Sequence, residues 1–525
     1  MASRPAAGRG LSGGEAALAG LGLLAWSAIL RLPTFARSVV DWDESLYMLV
    51  GREWLAGHLP GTVVWDHKPP GVHALFAAGL AVVGEPVAAM RALSVLFVAL
   101  GGLALYGIGR ELTGSRPASL LAAGLLAPFL LGLGGLAANT ELFFVAFELL
   151  GLWLLAPLLR GAAPSRGGHA RFAIAGLLFG CAFQIKYLAA FETSWFALAA
   201  LAALHRATGD WKRLPGPAAL LAFGAAVPSA AVVGAYASQG QIGLWLDLTF
   251  RANRTFGGLV PAGLAFPFGL RATAEWAAWA LPLLLAAGVL LLFRERPGTR
   301  EEAAALVFLA GYLLAALGAT WATRRFYPHY FLPTVPAACL LVGHAFARLP
   351  RPWSARSGGA VAFGALLSLV PVLRTVERPY RSWWTEGRKE GADGPSRIAE
   401  YLRARLRPGE RIWVVNDEPV LYLLTGSPVP TRYVFPPFLT STGFSRVAGV
   451  DVDREVRRIA ASRPAFLVVN DDLSGENTRR ILSIVLPGYE AERAFGRVTV
   501  YRARGRRPDA ARPPGAQKTS WSEKR

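Results

Sequence analysis

Cysteine and charged side chains are both scarce in this chain of 525 residues. The two cysteines, Cys181 and Cys339, each lie inside an apolar stretch, which argues against a disulfide framework. The sequence has no C-x-x-C pair and no histidine-rich spacing, so the usual ligand pattern of a zinc site is missing. Charged residues make up 17% of the chain and hydrophobic residues 53%. This balance argues against a soluble protein and predicts a polytopic membrane protein.

The formal net charge of +20 is large enough to suggest a nucleic-acid-binding protein. The basic residues, however, recur in short clusters between apolar segments, and no nucleic-acid-binding motif accompanies them. We therefore predict no nucleic-acid partner and interpret these clusters as determinants of membrane topology.

Apolar stretches of spanning length predict about eleven transmembrane helices. They fall at about 15–33, 87–108, 117–137, 141–159, 172–189, 191–205, 217–237, 275–293, 303–320, 331–347 and 357–374. Basic clusters occupy alternate connections, namely Arg110–Arg116, Arg160–Arg171, Arg206–Arg213, Arg294–Arg300 and Arg348–Arg356. All of them share one side if the N-terminus is cytoplasmic. The loops at 34–86 and 238–274, and everything after Thr375, then face outward.

The stretch 70–84 is apolar but short. Counting it as a span would reverse every later connection and place the basic clusters outside. We predict instead a juxtamembrane helix that lies at the outer interface.

The composition from about Glu377 onward is that of a soluble domain. Helical periodicity occurs at 396–406, 451–462 and 477–486, and strand-like runs occur at 411–416, 465–470 and 498–502. The predicted organisation is a transmembrane domain at 1–376, an extracytoplasmic α/β domain at 377–504 and a basic disordered tail at 505–525.

A cluster of acids opens the first outer loop, in the run DWDESLY at 41–47. Carboxylates beside a bilayer are costly unless they have a function there, so this loop is the first candidate for chemistry. Asp43 and Glu44 are adjacent and diverge by about 100° on a helix, which favours one catalytic carboxylate with a supporting neighbour. A solvated polar loop is the alternative interpretation.

The same loop continues into Lys68-Pro69-Pro70, at the start of the predicted juxtamembrane helix. A lysine at this depth can reach the headgroup level and hold an anionic phosphate. The two prolines restrict the backbone, so that the lysine side chain is presented rather than mobile. An ordinary lysine at a membrane boundary is the alternative.

Further charged residues are predicted at the outer ends of later spans. Glu141 follows Asn139-Thr140 and shares the aqueous side with Asp43, although this run is also a helix-start signal. Lys186 and Arg324 depart from the pattern of basic residues inside, and binding a phosphate is the simplest reason for their position.

The ordered set of these residues resembles the polyprenyl-phosphate-sugar-dependent glycosyltransferases of the GT-C fold. The protein O-mannosyltransferases and the aminoarabinose transferases of lipid A are the families most similar in pattern. The resemblance extends over roughly residues 15–350, and it is carried by Asp43-Glu44 with Tyr47, Lys68-Pro69-Pro70, Glu141, and His329-Tyr330 before Pro333.

The resemblance implies an α-helical polytopic GT-C protein in a bacterial plasma membrane, with its site on the outer face. The donor would be a polyprenyl-phosphate-linked sugar, and the acceptor a hydroxyl of a cell-envelope glycolipid, polysaccharide or protein. Asp43 would be the general base of an inverting transfer, with Glu44 and Glu141 as further catalytic acids. The implied donor-phosphate residues are Lys68, Lys186, Arg324 and Tyr330, and the implied supporting residues are Tyr47, Arg52 and His329. Glu141 would position the acceptor or bind a divalent metal, and the sequence leaves metal dependence open.

Three other functions are considered. A transporter would also carry charges near the membrane, but it predicts inverted repeats, and the sequence shows no internal repeat. An oligosaccharide ligase of related fold would lack this Lys-Pro-Pro arrangement. A non-catalytic scaffold would act through its outer α/β domain alone.

Overall fold

A computed structural model describes residues 11–162, 168–292, 300–350, 354–386 and 393–506. Among the predicted topology determinants and the predicted tail, several positions lie outside these residues, namely Arg166, Arg294, Arg296, Arg351 and 507–525. The chain divides into two compact units. Unit 1 comprises Met1–Leu32, Ser94–Ala235 and Val260–Arg381, and unit 2 comprises Pro33–Leu93, Tyr236–Leu259 and Ser382–Arg525. The division differs from the predicted boundary at 376/377, because two segments from the first half of the chain cluster with the C-terminal residues.

Unit 1 is helical throughout its described residues. Its complete α-helices are α1 (Gly13–Arg31), α5 (Arg116–Phe129), α6 (Thr140–Leu159), α7 (His169–Ile185), α8 (Ala189–Thr208), α12 (Ala262–Leu292), α13 (Arg300–Ala322) and α14 (Val335–Ala347). Two 3₁₀ segments, Trp211–Arg213 and Pro328–Thr334, also belong to it. Three long helices run across the division along the chain, namely α4 (Pro86–Thr113), α9 (Pro215–Ser238) and α15 (Ala355–Glu386).

A helix lies at each of the eleven predicted apolar stretches. Seven helices of the described residues are long and apolar enough to cross a membrane, and they lie within Gly13–Ala36, Pro86–Thr113, Thr140–Leu159, Trp211–Ser238, Ala262–Leu292, Arg300–Ala322 and Pro328–Ala347. The chain is therefore a multi-pass membrane protein, while a count of eleven spans stays a prediction. Helix α5 ends at Phe129, well before the predicted 137, because the chain turns there, with Leu133 and Gly134 at positive φ.

Unit 2 begins with two helices that pack closely, α2 (Trp42–Leu55) and α3 (Pro70–Val83). Gly51 allows this approach, because a Cβ atom there would come within 2.8 Å of the backbone nitrogen of Ala77. Backbone-to-backbone packing brings the first turns of both helices together, and most of the predicted loop chemistry lies in these turns.

The remaining helices of unit 2 are short. They are α10 (Ile242–Leu246), a π-helical turn (Asp247–Ala252), α11 (Asn253–Gly257), α16 (Gly394–Arg403), α17 (Val420–Thr425), α18 (Pro437–Thr440), α19 (Thr442–Ala448), α20 (Val452–Ala461) and α21 (Thr478–Val485). A 3₁₀ turn follows at Leu486–Gly488. Apolar side chains of α20, α21 and the strands below form a buried core that includes Trp413, Val456, Ile459, Leu467 and Ile481.

Unit 2 contains a four-stranded sheet in the order β1-β2-β4-β3. The strands are β1 (Ile412–Val414), β2 (Phe466–Asn470), β3 (Tyr489–Phe495) and β4 (Val498–Ala503). Strands β1 and β2 are parallel, and the β2–β4 and β3–β4 pairs are antiparallel. The three predicted strands and three predicted helices all occur, with ends shifted by at most three residues. Strand β3 was missed because it is an edge strand whose charged side chains hide the alternation.

The sequence Val-Asn-Asp occurs at the ends of both β1 and β2, and its two copies lie together. The Asn416 side chain donates to the carbonyl oxygens of Asn470 (2.9 Å) and Asp472 (2.7 Å), and it accepts from the Asn470 backbone at 2.8 Å. The Asn470 side chain donates to Asp417 at 3.0 Å. These amides satisfy backbone groups at the ends of the parallel strands, so the repeated sequence joins the carboxyl ends of β1 and β2.

Candidate functional site

Helix α2 begins where its N-cap residue supplies an acceptor. The Asp41 carboxylate accepts a hydrogen bond from the backbone N–H of Asp43 at 3.0 Å, which satisfies one of the free donors of the first turn. Acidic side chains are favourable in a first turn, because the helix dipole is positive there. Burial, with the nearby charge of Asp43, raises the pKa of Asp41 to about 6.

The two adjacent acids of this turn have different environments. Glu44 is fully buried, and both of its oxygens receive hydrogen bonds from the guanidinium of Arg91, at 2.7 and 2.8 Å. The backbone N–H of Val40 donates a third bond at 2.6 Å. Asp43 points elsewhere, and its side chain retains 23% of its exposure. Only Asp43 of the two is accessible to a substrate.

Lys68 is held by a tight turn at the start of α3. The Asp66 carboxylate accepts a hydrogen bond from the Lys68 backbone N–H at 3.3 Å, which is the pattern of an Asx turn. Pro69 and Pro70 follow at the N-cap and first helical positions, where their missing N–H groups cost nothing. Sequence and local geometry therefore agree that this lysine is presented by a rigid backbone.

Asp43, Lys68 and Tyr47 form one cluster in unit 2. The Lys68 ammonium lies 3.8 Å from the Asp43 carboxylate, and the Tyr47 hydroxyl donates to the same carboxylate at 3.1 Å. Lys68 keeps 14% of its side-chain exposure, whereas Tyr47 is buried. A carboxylate next to a cation at a partly open position is suited to accept a proton beside an anionic leaving group.

A second acid lies behind this cluster. Asp66 is buried, and burial raises its pKa to about 7, although the charge of Lys68 acts in the opposite direction. His73 on α3 is fully buried with its Nε2 atom 3.4 Å from the Asp66 carboxylate. The Tyr47 ring packs edge-on against the His73 ring, with centroids 5.9 Å apart. Buried polar side chains therefore support both Tyr47 and the backbone that carries Lys68.

Unit 1 contains a separate cluster. Glu141 lies in the first turn of α6, after Asn139 at the N-cap position, and its carboxylate pairs with the ammonium of Lys186. Lys186 has an extended backbone in the break between α7 and α8, and its ammonium lies 3.6 Å from the centre of the Tyr330 ring. Both charged side chains are buried. The predicted acid and the predicted phosphate-binding lysine therefore neutralise each other in this structure.

The other predicted site residues have varied surroundings. His329 packs edge-on against Tyr330, with ring centroids 4.9 Å apart. Arg324 is exposed at a positive φ of 58°, and its guanidinium forms no hydrogen bond or ion pair with the residues that the structure describes. Arg52 binds the neighbouring Glu53 at 2.9 Å and the Tyr422 carbonyl at 3.3 Å, which is a structural arrangement within unit 2.

Three buried or partly buried charged residues, Arg91, Glu148 and Glu418, were not predicted from the sequence. Arg91 and Glu148 each interrupt an apolar stretch, and a charge inside such a stretch was the available signal. Glu418 had no such signal. It lies in unit 2, where its carboxyl group accepts a hydrogen bond from the Trp42 side chain and burial raises its pKa to about 8. Among the described residues, no group of three or more His, Cys, Asp or Glu side chains is placed to hold a metal ion.

Parts of this chain are similar to known proteins. A family profile described as dolichyl-phosphate-mannose-protein mannosyltransferase matches residues 67–233. Undecaprenyl phosphate-alpha-4-amino-4-deoxy-L-arabinose arabinosyl transferases from strains of Pseudomonas aeruginosa are 28% identical over 369 residues. That alignment covers 66% of this chain and 63% of the relative, so the chain spans less than two thirds of the length of these relatives.

Solved structures extend the similarity over most of the chain. ArnT from Cupriavidus metallidurans bound to undecaprenyl phosphate aligns with 16% identity and a TM-score of 0.59, over 92% of this chain and 97% of ArnT. The mycobacterial arabinofuranosyltransferase AftD aligns with 17% identity and a TM-score of 0.50, over 94% of this chain and 40% of AftD. The chain therefore shares its fold with ArnT, and over part of its length its sequence is similar to the two kinds of transferase named above. The profile match begins at His67 and includes Lys68, Glu141 and Lys186, whereas Asp43 and Tyr330 lie outside it.

The buried ion pair of Glu44 and Arg91 predicts a strong effect of Glu44→Gln on stability. This change leaves the Arg91 guanidinium buried without a compensating charge, so we expect the free energy of unfolding to fall by about 3–5 kcal/mol. The measurement is denaturant unfolding of the purified chain in detergent. As a matched control, Glu275→Gln removes an acid from the exposed pair with Arg271 and should cost less than about 1 kcal/mol. Equal losses in the two variants would contradict the structural role of Glu44.

Glu418 predicts a pH dependence of stability. Its pKa of about 8 in the folded chain exceeds the ordinary 4.5, so between these values the folded state binds one more proton than the unfolded state. Its contribution to stability is therefore present at low pH and is lost as the pH rises through about 8. We expect Glu418→Gln to flatten the decline of the free energy of unfolding between pH ~5 and ~8. The exposed Glu400→Gln should keep the wild-type slope, and a Glu418→Gln slope equal to wild type would refute the assignment.

Proposed function

We propose that this chain is a membrane glycosyltransferase that moves a sugar from a polyprenyl-phosphate donor to a hydroxyl group of a cell-envelope acceptor. The observation that carries the proposal is the cluster of Asp43, Tyr47 and Lys68, where a partly exposed carboxylate lies 3.8 Å from an ammonium group. The names of the Pseudomonas relatives and the lipid bound to ArnT support a lipid-phosphate donor.

The proposed step uses Asp43 as general base. Its carboxylate takes the proton of the acceptor hydroxyl while the acceptor oxygen bonds to the anomeric carbon of the sugar. The bond between the anomeric carbon and the phosphate oxygen breaks, and its electron pair leaves with the polyprenyl phosphate. Because the acceptor oxygen attacks from the face opposite this bond, the configuration at the anomeric carbon inverts. The ammonium of Lys68 offsets the charge of this leaving group. Tyr47 orients Asp43 through the hydrogen bond at 3.1 Å.

The remaining site residues keep proposed roles that fit their surroundings. Glu44 supports Asp43 by fixing the first turn of α2 through Arg91. In unit 1, we assign Lys186, Tyr330 and Arg324 to the donor phosphate, with Glu141 and His329 holding Lys186 and Tyr330 in place. Arg52 stabilises the end of α2. A divalent metal stays an open part of the proposal.

The location is also part of the proposal. We place the chain in a bacterial plasma membrane with a cytoplasmic N-terminus, since the basic connections then share the cytoplasmic side. The active site, the loop at 34–86 and the α/β domain at 377–504 then lie on the outer face. An oligosaccharide ligase of related fold is the alternative within the same superfamily.

A transporter is the second candidate from a different class. Glu148 on α6 and Glu192 on α8 are buried in unit 1, and all four carboxylate oxygens lack a hydrogen-bond partner among the described residues. Such acids inside a helical bundle often mark ion or proton pathways. This function would be favoured if the chain carried protons or ions across proteoliposome membranes, if this flux vanished in Glu148→Gln, and if no sugar were transferred from any donor.

Asp43→Asn tests the assignment of the base. We expect at least an approximately 100-fold loss of transfer, because the amide cannot accept the proton, with folding and membrane insertion unchanged. Transfer is measured with the purified chain in lipid, a panel of radiolabelled polyprenyl-phosphate sugars and membrane extract as acceptor. Asp471→Asn, at an exposed surface pair, is the matched control and should transfer normally. Near-normal turnover in Asp43→Asn would remove Asp43 from the mechanism.

Lys68→Ala tests the proposed contact with the donor phosphate. Loss of a charged hydrogen-bond donor should raise the apparent KM for the donor by about tenfold or more. The exposed Lys212→Ala should leave this KM unchanged. A fall in kcat alone would show that the lysine acts at the transition state instead of in binding.

A further inference from the structure

A cleft of about 620 Å³ lies within unit 2, apart from the Asp43–Lys68 contact. Its lining includes Pro33 and Arg37 from the start of the first outer loop. On the other side are Trp383 at the end of α15, Arg397 in α16 and Glu418 after β1. Its volume is in the range of small-molecule sites, which combine apolar walls with a few polar groups. None of the residues assigned to the donor lines it.

The cleft presents two cations without acidic partners. The Arg37 guanidinium donates to the Ser382 hydroxyl at 3.2 Å, and neither it nor Arg397 forms an ion pair with a carboxylate of the described residues. Asp393 also lines the cleft, but its oxygens accept hydrogen bonds from the backbone and hydroxyl of Ser38 and from the backbone of Ser396. An exposed guanidinium group on each side of the cleft makes it suited to a phosphate or carboxylate.

The other groups in the cleft are suited to a sugar. Trp383 is partly buried and contributes an aromatic wall, and Pro33 and Pro395 add rigid apolar surface. Glu418 supplies a carboxyl group whose Oε2 atom is buried and has no hydrogen-bond partner in the described chain. A ligand hydroxyl bound to this carboxyl group would give the atom a partner, and a buried polar atom left unpaired is costly.

Glu418 also connects the cleft to the proposed base. Its carboxyl group accepts the hydrogen bond of Trp42, which directly precedes Asp43 in the first turn of α2. Asp41 and Glu44 of the same turn interact electrostatically with it. A saccharide in the cleft would therefore lie beside the turn that carries Asp43.

We propose that this cleft binds the acceptor, and that the acceptor is a saccharide bearing an anionic group held by Arg37 and Arg397. Trp383 packs against a sugar ring, and Glu418 hydrogen-bonds a hydroxyl group. That the bound saccharide is the acceptor rests on the proposed function. Binding of an anionic saccharide is independent of turnover. Phosphate and carboxylate share the required oxyanion chemistry.

The test is equilibrium binding to the full-length chain in lipid nanodiscs, without donor, by calorimetry. The probes are trehalose, trehalose 6-phosphate and cellobiouronic acid, which are a neutral, a phosphorylated and a carboxylated disaccharide. We expect at least one anionic probe to bind about tenfold or more tightly than trehalose. Its preference over the other anionic probe identifies the oxyanion. No preference for either anionic probe, or no binding of any probe, would overturn the proposal.

Variants locate the bound probe. Arg37→Ala and Arg397→Ala should each weaken binding of the anionic probe by about tenfold, and Arg37→Lys should lose less because it keeps the charge. Arg479→Ala removes an exposed arginine of unit 2 that does not line the cleft, and it should bind as wild type does. Thermal unfolding of each variant checks that it is folded. Unchanged binding in both arginine variants would exclude the cleft.

The same variants separate this inference from the proposed function. In the transfer assay, Arg37→Ala and Arg397→Ala should raise KM for the acceptor and leave KM for the donor unchanged. If Asp43→Asn transfers normally while the anionic probe still binds through the two arginines, the catalytic assignment fails and the saccharide site stands. A rise in donor KM alone would contradict the acceptor assignment.

Discussion

The buried pair of Glu44 and Arg91 is the contact on which the candidate chemistry of unit 2 depends. Two charges are removed from water together, and their bidentate geometry at 2.7 and 2.8 Å compensates each of them. Arg91 also donates to the carbonyl oxygens of Thr34 and Arg37, so one side chain holds the start of the outer loop against α2. The pair thereby determines the rotation of α2 about its axis. Because neighbouring residues of a helix point about 100° apart, burying Glu44 leaves Asp43 toward the open side.

Both candidate lysines occupy positions where helical backbone is interrupted. Lys68 follows the Asp66 turn and precedes two prolines, and Lys186 has an extended backbone between α7 and α8. An interrupted backbone directs a long side chain away from the ordinary lipid-facing or core-facing rows of a helix. It also leaves polar backbone groups that need partners, and Asp66 supplies one for the backbone N–H of Lys68. Glu141 instead pairs with the ammonium group of Lys186.

The sheet of unit 2 shows how far pattern reading extends. Runs such as Phe466–Val469 are continuously apolar and predict a buried strand. Strand β3 and the short helices α17–α19 have no such pattern, since their side chains pack at edges and corners. Glu418 lies in this irregular part, beyond the reach of periodicity. The cleft that it lines is therefore a product of tertiary packing.

The sequence by itself determined the membrane class, the positions of the apolar helices and the loop that carries Asp43 and Lys68. These features depend on local composition and on the breaks made by proline and capping residues, which act over a few positions. Only the tertiary structure decided which acid of the Asp43-Glu44 pair is accessible and that Glu141 neutralises Lys186. It also decided that Arg91 binds Glu44 and that Glu418 accepts the hydrogen bond of Trp42. The physical reason is that burial and charge pairing join residues far apart in the chain. The sequence alone does not distinguish a glutamate that is exposed to water from one that is buried against a guanidinium group.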